Sequence, residues 1–351
     1  MTADNCIKAA IVGYGFSAKT FHIPFITTLA EFQFSAISSS QRAQINQDHP
    51  GVEVYDSAEQ MLKDCDAEVV IITAPNDVHF QLAKLALLNN KHVVLEKPIV
   101  TRVSDGEQLI ALAQQKQKVL TVYHNRRWDG DFLTVKKLIN QKSLGHIRYY
   151  ESHFDRFRPQ VRQRWRETAV DGGGILYDLA PHMIDQALQL FGKPTAITAQ
   201  CVALRDNSAI TDLVHLVLFY PDKLVVLHAS LFCASVNLRF QLQGDCGNYV
   251  KHGLDPQEDR LRAGILPDHD HWADEAVQDY GHIYRDDSLA KNSAEVVVTE
   301  RGGYQHFFHQ LATAINDGEP VPVSAEDALL TIKLIELAQQ SSQTGQKMKV
   351  Q

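Results

Sequence analysis

The chain has 351 residues, 44% of them apolar and 22% charged, with a formal net charge of −8. That length favours two domains, the acidic balance argues against a nucleic-acid partner, and no run of about 18 apolar residues offers a membrane span. Met1-Thr-Ala-Asp-Asn-Cys6 carries no basic or apolar leader, and Cys6, Cys65, Cys201, Cys233 and Cys246 have no CxxC spacing, so reduced thiols in a cytoplasmic protein are expected.

Ile7 to Val12 is a short apolar strand running into Gly13-Tyr14-Gly15-Phe16-Ser17-Ala18, the G-x-G-x-x-A pattern between a strand and a helix. The first glycine permits the tight turn and the second lets the backbone approach a pyrophosphate. A small third residue lets the helix pack, with its amides toward the phosphates. Residues 13–16 are therefore candidate cofactor contacts. The next strand, Phe32 to Ile37, ends in Ser38-Ser39-Ser40-Gln41-Arg42, where an NAD-binding unit usually places Asp or Glu for the ribose. Serine hydroxyls and a guanidinium would bind a 2′-phosphate that a carboxylate would repel. NADP(H) is the expected cofactor, ahead of NAD(H). A polar turn with a solvated arginine is the alternative.

Val69 to Thr73 is another buried strand, followed by Ala74-Pro75-Asn76 at its carboxyl end and by His79 opening a helix to Asn89. Ala74, Pro75, Asn76 and His79 are candidate cofactor-cleft residues, although His79 could equally cap its helix. His92 to Leu95 is β-branched and apolar, as a covered parallel strand demands, and stops at Glu96-Lys97-Pro98. Lys97 then stands at the carboxyl end of a central strand, where open α/β sheets bind ligands. Glu96 could orient Lys97 or face the nicotinamide, and the Lys97–Pro98 bond could be cis. A helix from Val103 to Gln115 and a strand from Val119 to Tyr123 complete the alternation, so residues 1–123 are predicted to be a Rossmann domain with a parallel sheet.

From residue 124 the rhythm changes. A helix over Asp131–Asn140 leads to strands predicted at His146–Phe157, Thr195–Arg205, Leu213–Tyr220, Leu224–Cys233 and Asn237–Gln243. Pro221-Asp222-Lys223 is a turn within an antiparallel meander. Residues 124–351 are thus expected to form an α/β domain with a large open, mainly antiparallel sheet. One helix is predicted over Ile175–Phe191 and two more near Tyr304–Asn316 and Ala325–Ser341. The polar stretch Gly253 to Asp287 is predicted to be a surface excursion, and its His269, Asp270 and His271 lack a periodic partner, so no metal is expected. On the helix from Ile175, steps of four and three put Asp178, His182 and Asp185 on one stripe, facing either water or a polar cleft. Asp178 could hold one imidazole nitrogen of His182 and raise the basicity of the other. Gly172-Gly173-Gly174 before it permits close backbone approach, and Pro181 would kink the helix. Arg162-Gln-Arg164-Trp165-Arg166 could close over a ligand or lie on the surface.

The ordered set Gly13-x-Gly15-x-x-Ala18, Glu96-Lys97-Pro98 and Asp178-x-x-x-His182 resembles the Gfo/Idh/MocA oxidoreductases. Tyr123-His-Asn-Arg-Arg-Trp-Asp129, Arg164-Trp-Arg166 and Leu176-Tyr-Asp-Leu179 resemble the NADP-dependent scyllo-inositol dehydrogenase branch. The resemblance implies hydride transfer between a nicotinamide and a polyol or sugar carbinol, with Lys97 and His182 catalytic and Asp178 as partner or substrate ligand. It further implies Asn125, Arg126, Trp165 and Arg166 as cofactor or substrate contacts, Tyr123 beside the substrate, and a homodimer built on the open sheet. The rival readings are an enzyme of the same architecture for another sugar or ketose, and a cofactor-sensing protein without turnover. The second has no need for both Lys97 and His182.

Overall fold

In the strands Val69–Ile72 and His92–Leu95 every residue but His92 is wholly buried, the mark of a parallel sheet covered on both faces. The computed structural model describes residues 6–161, 172–285 and 294–351, and the chain divides into two units. The first comprises Met1–Asn125, Gln257–Trp272 and Tyr304–Ile332; the second comprises Arg126–Pro256, Ala273–Gly303 and Lys333–Gln351.

The first unit holds six parallel strands: β1 (Ile7–Val12), β2 (Phe32–Ser38), β3 (Glu53–Tyr55), β4 (Val69–Ile72), β5 (His92–Leu95) and β6 (Leu120–Val122). Their order, β3-β2-β1-β4-β5-β6, reverses direction between β1 and β4. In open α/β sheets that switch point opens a ligand crevice at the strands' carboxyl ends. The sequence places one part of this unit wrongly. The stretch from Gly253 is not a surface excursion throughout: helix Gln257–Arg262 and buried Trp272 belong to the first unit. The Trp272 indole packs edge-on against Phe25 and Tyr304 at 6.1 and 6.2 Å.

The second unit carries β7 (Ile147–His153), β8 (Ala196–Val202), β9 (Leu213–Phe219), β10 (Leu224–Ser230), β11 (Leu238–Gly244), β12 (Gly247–His252), β13 (Gly281–Tyr284), β14 (Ala294–Val297) and β15 (Met348–Lys349). They form one sheet in the order β14-β13-β12-β11-β7-β10-β9-β8-β15. Among the described residues its neighbours are antiparallel except β7 and β10, which run parallel. Side chains of β9 alternate: Val214, Leu216 and Leu218 are buried, while Leu213, His215 and Val217 stay half-exposed. This gives the sheet one core face and one wetter face.

Arg239 of β11 is the polar anchor of the core face. Its guanidinium has no exposed surface and donates to Asp131 Oδ2 at 3.2 Å, Ser152 Oγ at 2.8 Å and Gln186 Oε1 at 2.8 Å. It also lies 4.5 Å from the Phe154 ring centre and 4.0 Å from that of Phe240. Asp131 lies on helix Gly130–Asn140 and Gln186 on helix Ala180–Phe191, so one cation ties two helices to the sheet. Removing one partner of such a buried pair leaves an uncompensated charge, which costs about 3–5 kcal/mol. Arg239→Met is therefore expected to lower unfolding free energy in urea by about that amount; a loss near zero would contradict this role.

Candidate active site

The glycine turn sits where three strand ends converge. Gly13 donates its amide to Ser38 O at 2.9 Å, and Thr73 N–H reaches Val12 O at 3.0 Å. Gly13 has φ +99°, and a Cβ there would meet Thr73 Oγ1 at 3.0 Å, so a side chain is both strained and crowded. A Cβ on Gly15 would meet nothing within 4 Å, which leaves the backbone open to a diphosphate. These features fit a dinucleotide. Tyr14 is buried and donates its hydroxyl to Asp48 Oδ2 at 2.6 Å, and its carbonyl accepts from Gln41 Nε2 at 3.1 Å. Burial first, then the Asp48 hydrogen bond and charge, raise the Tyr14 phenol well above its ordinary value. Phe16 is exposed.

At the end of β2, Ser38 is buried and Ser39 Oγ accepts the Gln41 amide at 3.2 Å. Ser40 and Arg42 face solvent, with Arg42 3.0 Å from Asp56 in an ion pair exposed on both sides. Such a pair contributes little, so it would not hold the guanidinium against a phosphate.

Beyond β4, Ala74 and Pro75 lead into a 3₁₀ turn, Asn76–Val78. The imidazole of His79 is fully buried, with Nδ1 2.9 Å from Pro98 O and Nε2 3.0 Å from Ala74 O. The ring is seated between carbonyls of the loops after β4 and β5, and a neutral imidazole donates to one of the two, so His79 is tied into these loops where a cofactor contact was expected. Burial lowers its pKa against the opposing pull of the two carbonyls.

Glu96 closes β5, and the Lys97–Pro98 bond is cis. Lys97 is half-buried. The Glu96 carboxylate accepts from the Ser17 hydroxyl, lies 2.8 Å from His22 Nε2, and takes the Lys97 N–H at 3.2 Å. Ser17 precedes, and His22 ends, a π-helical turn, Ala18–His22, whose i→i+5 bonding brings residues five apart to one side. Burial opposes the Glu96 charge, but the His22 hydrogen bond and charge, the Ser17 hydroxyl and Lys97 outweigh it. The carboxyl is pulled down to about 2. Sequence reasoning missed Ser17 and His22, because no spacing rule links them to a strand end about 75 residues later. Tyr123, expected beside a substrate, is buried in an aromatic cluster, 4.5 Å from the His22 ring and 4.9 Å from Phe307.

In the second unit the predicted helix Ile175–Phe191 is two helices, Ile175–Asp178 and Ala180–Phe191, broken at Leu179. Pro181 lies in the first turn of the second, where no intrahelical N–H bond is lost, so it starts a helix and does not kink one. Gly174 precedes the first helix with φ +78°, and a Cβ there would meet Thr211 O at 2.9 Å. Asp178 ends the first helix, half-buried and 3.6 Å from Arg156. His182 is buried in the first turn of the second, its ring 6.3 Å from that of Phe154. Asp178 and His182 thus stand on two consecutive helices, one on each side of Leu179. Asp185 receives a two-pronged bond from Arg127, at 2.8 and 2.6 Å. Asn125 and Arg126 are buried; Arg126 lies 3.3 Å from Asp129 and over the Phe154 ring. Trp165 and Arg166, with Arg162 and Arg164, lie outside the described residues.

The family model described as "Oxidoreductase family, NAD-binding Rossmann fold" matches residues 7–124, and that described as "Oxidoreductase family, C-terminal alpha/beta domain" matches residues 136–350. The chain is 41% identical to the oxidoreductase YdgJ of Escherichia coli (strain K12), over 97% of each chain. It is 39% identical to the scyllo-inositol 2-dehydrogenase (NADP(+)) IolW of Bacillus subtilis (strain 168), over 96% of this chain and 94% of that one. The solved structure of the oxidoreductase yvaA from Bacillus subtilis matches with a TM-score of 0.95 at 37% identity, covering 100% of both chains.

The depressed Glu96 pKa sets a pH dependence. A carboxyl held near 2 when folded and near 4.5 when unfolded stabilises the fold above about 4.5, and that contribution is lost as pH falls toward about 2. Glu96→Gln should cost on the order of 2–3 kcal/mol at pH 7, with the deficit shrinking as urea unfolding is repeated at lower pH. A deficit independent of pH would show that the carboxylate charge is not what matters.

Proposed function

The chain belongs to the Gfo/Idh/MocA family of oxidoreductases, and we propose that it moves a hydride between NADP(H) and a secondary hydroxyl or ketone of a cyclic polyol, with scyllo-inositol and scyllo-inosose as the favoured pair. The observation that carries this reading is Lys97, half-buried at the carboxyl end of β5, with its backbone tied through Glu96 to the helix after the glycine turn. The likeness to IolW supports the choice of substrate and cofactor.

A bound nicotinamide would supply the hydride acceptor for oxidation of the carbinol carbon and the hydride donor for reduction of the ketone. The Lys97 ammonium would offset the negative charge that develops on the reacting oxygen. His182 takes the hydroxyl proton in oxidation and gives it back in reduction, an acid–base contribution of roughly 10²–10⁴ in rate. Asp178 orients His182 or holds a substrate hydroxyl. Residues 13–16, Ala74, Pro75 and Asn76 would hold the dinucleotide, with Asn125, Trp165 and Arg166 as further candidate contacts. Ser38, Ser39, Ser40 and Arg42 would receive a 2′-phosphate. His79, Tyr123 and Arg126, already engaged within the protein, shape the walls.

Turnover followed by nicotinamide absorbance with scyllo-inositol and NADP+ tests the assignment. Lys97→Met and His182→Ala should each lower kcat at least about 10²-fold while NADPH affinity stays near normal; near-normal turnover in either variant would sink the role assigned to that residue. Arg42→Ala should raise KM for NADP+ about 10-fold or more, the scale of one charge-assisted hydrogen bond, and leave KM for NAD+ almost unchanged. Equal effects on both nucleotides would refute the 2′-phosphate argument.

A further inference from the structure

The wetter face of the large sheet carries a polar row that the hydride-transfer reading leaves unused. His153 ends β7, His228 lies in β10 and His215 in β9. The register sets His228 directly opposite His153 on one side and His215 on the other, so the three imidazoles stand on one face of three adjacent strands. Asp155, two residues past His153, brings a carboxylate to the same place. Its Oδ2 is 2.9 Å from His153 Nδ1, and its Oδ1 is 3.7 Å from His228 Nε2. One ligand atom each from His153, Asp155 and His228 lie within 4.8 Å of one another.

We propose that His153, Asp155 and His228 form a binding site for a divalent transition ion of the zinc class. An ion held by nitrogen and oxygen at about 2.0–2.2 Å in tetrahedral geometry spaces its ligand atoms roughly 3.4 Å apart. The Asp155 carboxylate lies 2.9 Å from one imidazole and 3.7 Å from the other, on either side of that spacing, and the three ligand atoms lie within 4.8 Å of one another. The far side of each ligand is already held. Nε2 of His153 is 2.7 Å from Glu151 Oε1, and Glu151 Oε2 in turn accepts the Tyr149 hydroxyl at 2.6 Å. Nδ1 of His228 is 3.3 Å from His215 Nδ1. Asp155 Oδ1 accepts the Ser230 amide at 3.0 Å, and the Asp155 amide donates to Asn237 Oδ1 at 2.8 Å.

A carboxylate or a second polar group behind each imidazole fixes its tautomer and leaves the other nitrogen to bind the ion. Two imidazoles and one carboxylate favour zinc-like ions over magnesium or calcium, which prefer oxygen alone. The three side chains are 16%, 7% and 21% exposed in the single chain, so an ion held there would be largely stripped of water. A four-coordinate ion would keep one position for water. Sequence reasoning expected no metal because His228 meets His153 only through the parallel pairing of β7 and β10, which nothing in residue spacing announces. The plain alternative is a hydrogen-bonded ladder that only staples the strands.

Calorimetric titration of the full chain, stripped with chelator, with zinc chloride alone and separately with magnesium chloride, tests the site. One zinc per chain at the tightest site is expected, with no comparable magnesium uptake. His153→Gln and His228→Gln should each weaken it at least about 100-fold, and Glu151→Gln, behind the ligand, about 10–100-fold. Circular dichroism and NADPH binding check that the variants fold. Zinc K-edge absorption of the unaltered protein needs no variant and should show two imidazoles with oxygen completing the shell. Absence of stoichiometric zinc, affinity unchanged in the His153→Gln/His228→Gln double variant, or a shell of sulfur or of oxygen alone would overturn the proposal.

Discussion

A carboxyl group largely withdrawn from water at a strand end tends to protonate unless donors and positive charge hold it ionised. Glu96 meets that requirement with three neighbours: the Ser17 hydroxyl, the His22 imidazole and the Lys97 amide. The first two come from the helix that follows the glycine turn, and the third is the residue at which β5 stops. One charge therefore couples the turn that fits a dinucleotide to the strand end that presents Lys97. His79 adds a second tie, its ring seated between Ala74 O and Pro98 O at the ends of β4 and β5. Together these contacts make the carboxyl edge of the parallel sheet a preorganised surface, which an electrostatic role for Lys97 requires.

The second unit applies the same rule with the sign reversed. Arg239 is a cation without exposed surface, and it is held by Asp131, Ser152 and Gln186 and flanked by aromatic rings. Because Gln186 shares a helix with His182, the anchor that satisfies the guanidinium also fixes the helix that presents the imidazole. Asp185 on that helix adds a part-buried ion pair with Arg127. In both units the residues proposed to do chemistry sit next to a buried charge whose partners come from several elements.

Local patterns were legible in the sequence, and those that need distant pairing were not. Gly13 to Ala18 and the apolar runs that became β1, β4 and β5 obey short-range rules of turn chemistry and burial, so their places followed directly. The alternating burial along β9 is not written in its almost wholly apolar sequence, LVHLVLF, and came only with the sheet. The break at Leu179 was hidden because Pro181 suits both a kink and a first helical turn. Trp272 and helix Gln257–Arg262 sit in a polar stretch whose packing comes from Phe25 and Tyr304, far away in the chain. Ser17, His22 and the meeting of His153 with His228 depend on a π turn and on a parallel strand pair, neither of which leaves a periodic trace.

The proposed hydride transfer is tested most directly by following the transferred atom itself. With NADP+ and scyllo-inositol deuterated at its ring carbons, mass spectrometry of the reduced nucleotide should find NADPH carrying one deuterium from the carbinol carbon. NADPH formed without the label, or no NADPH under conditions where the nucleotide is bound, would contradict the account.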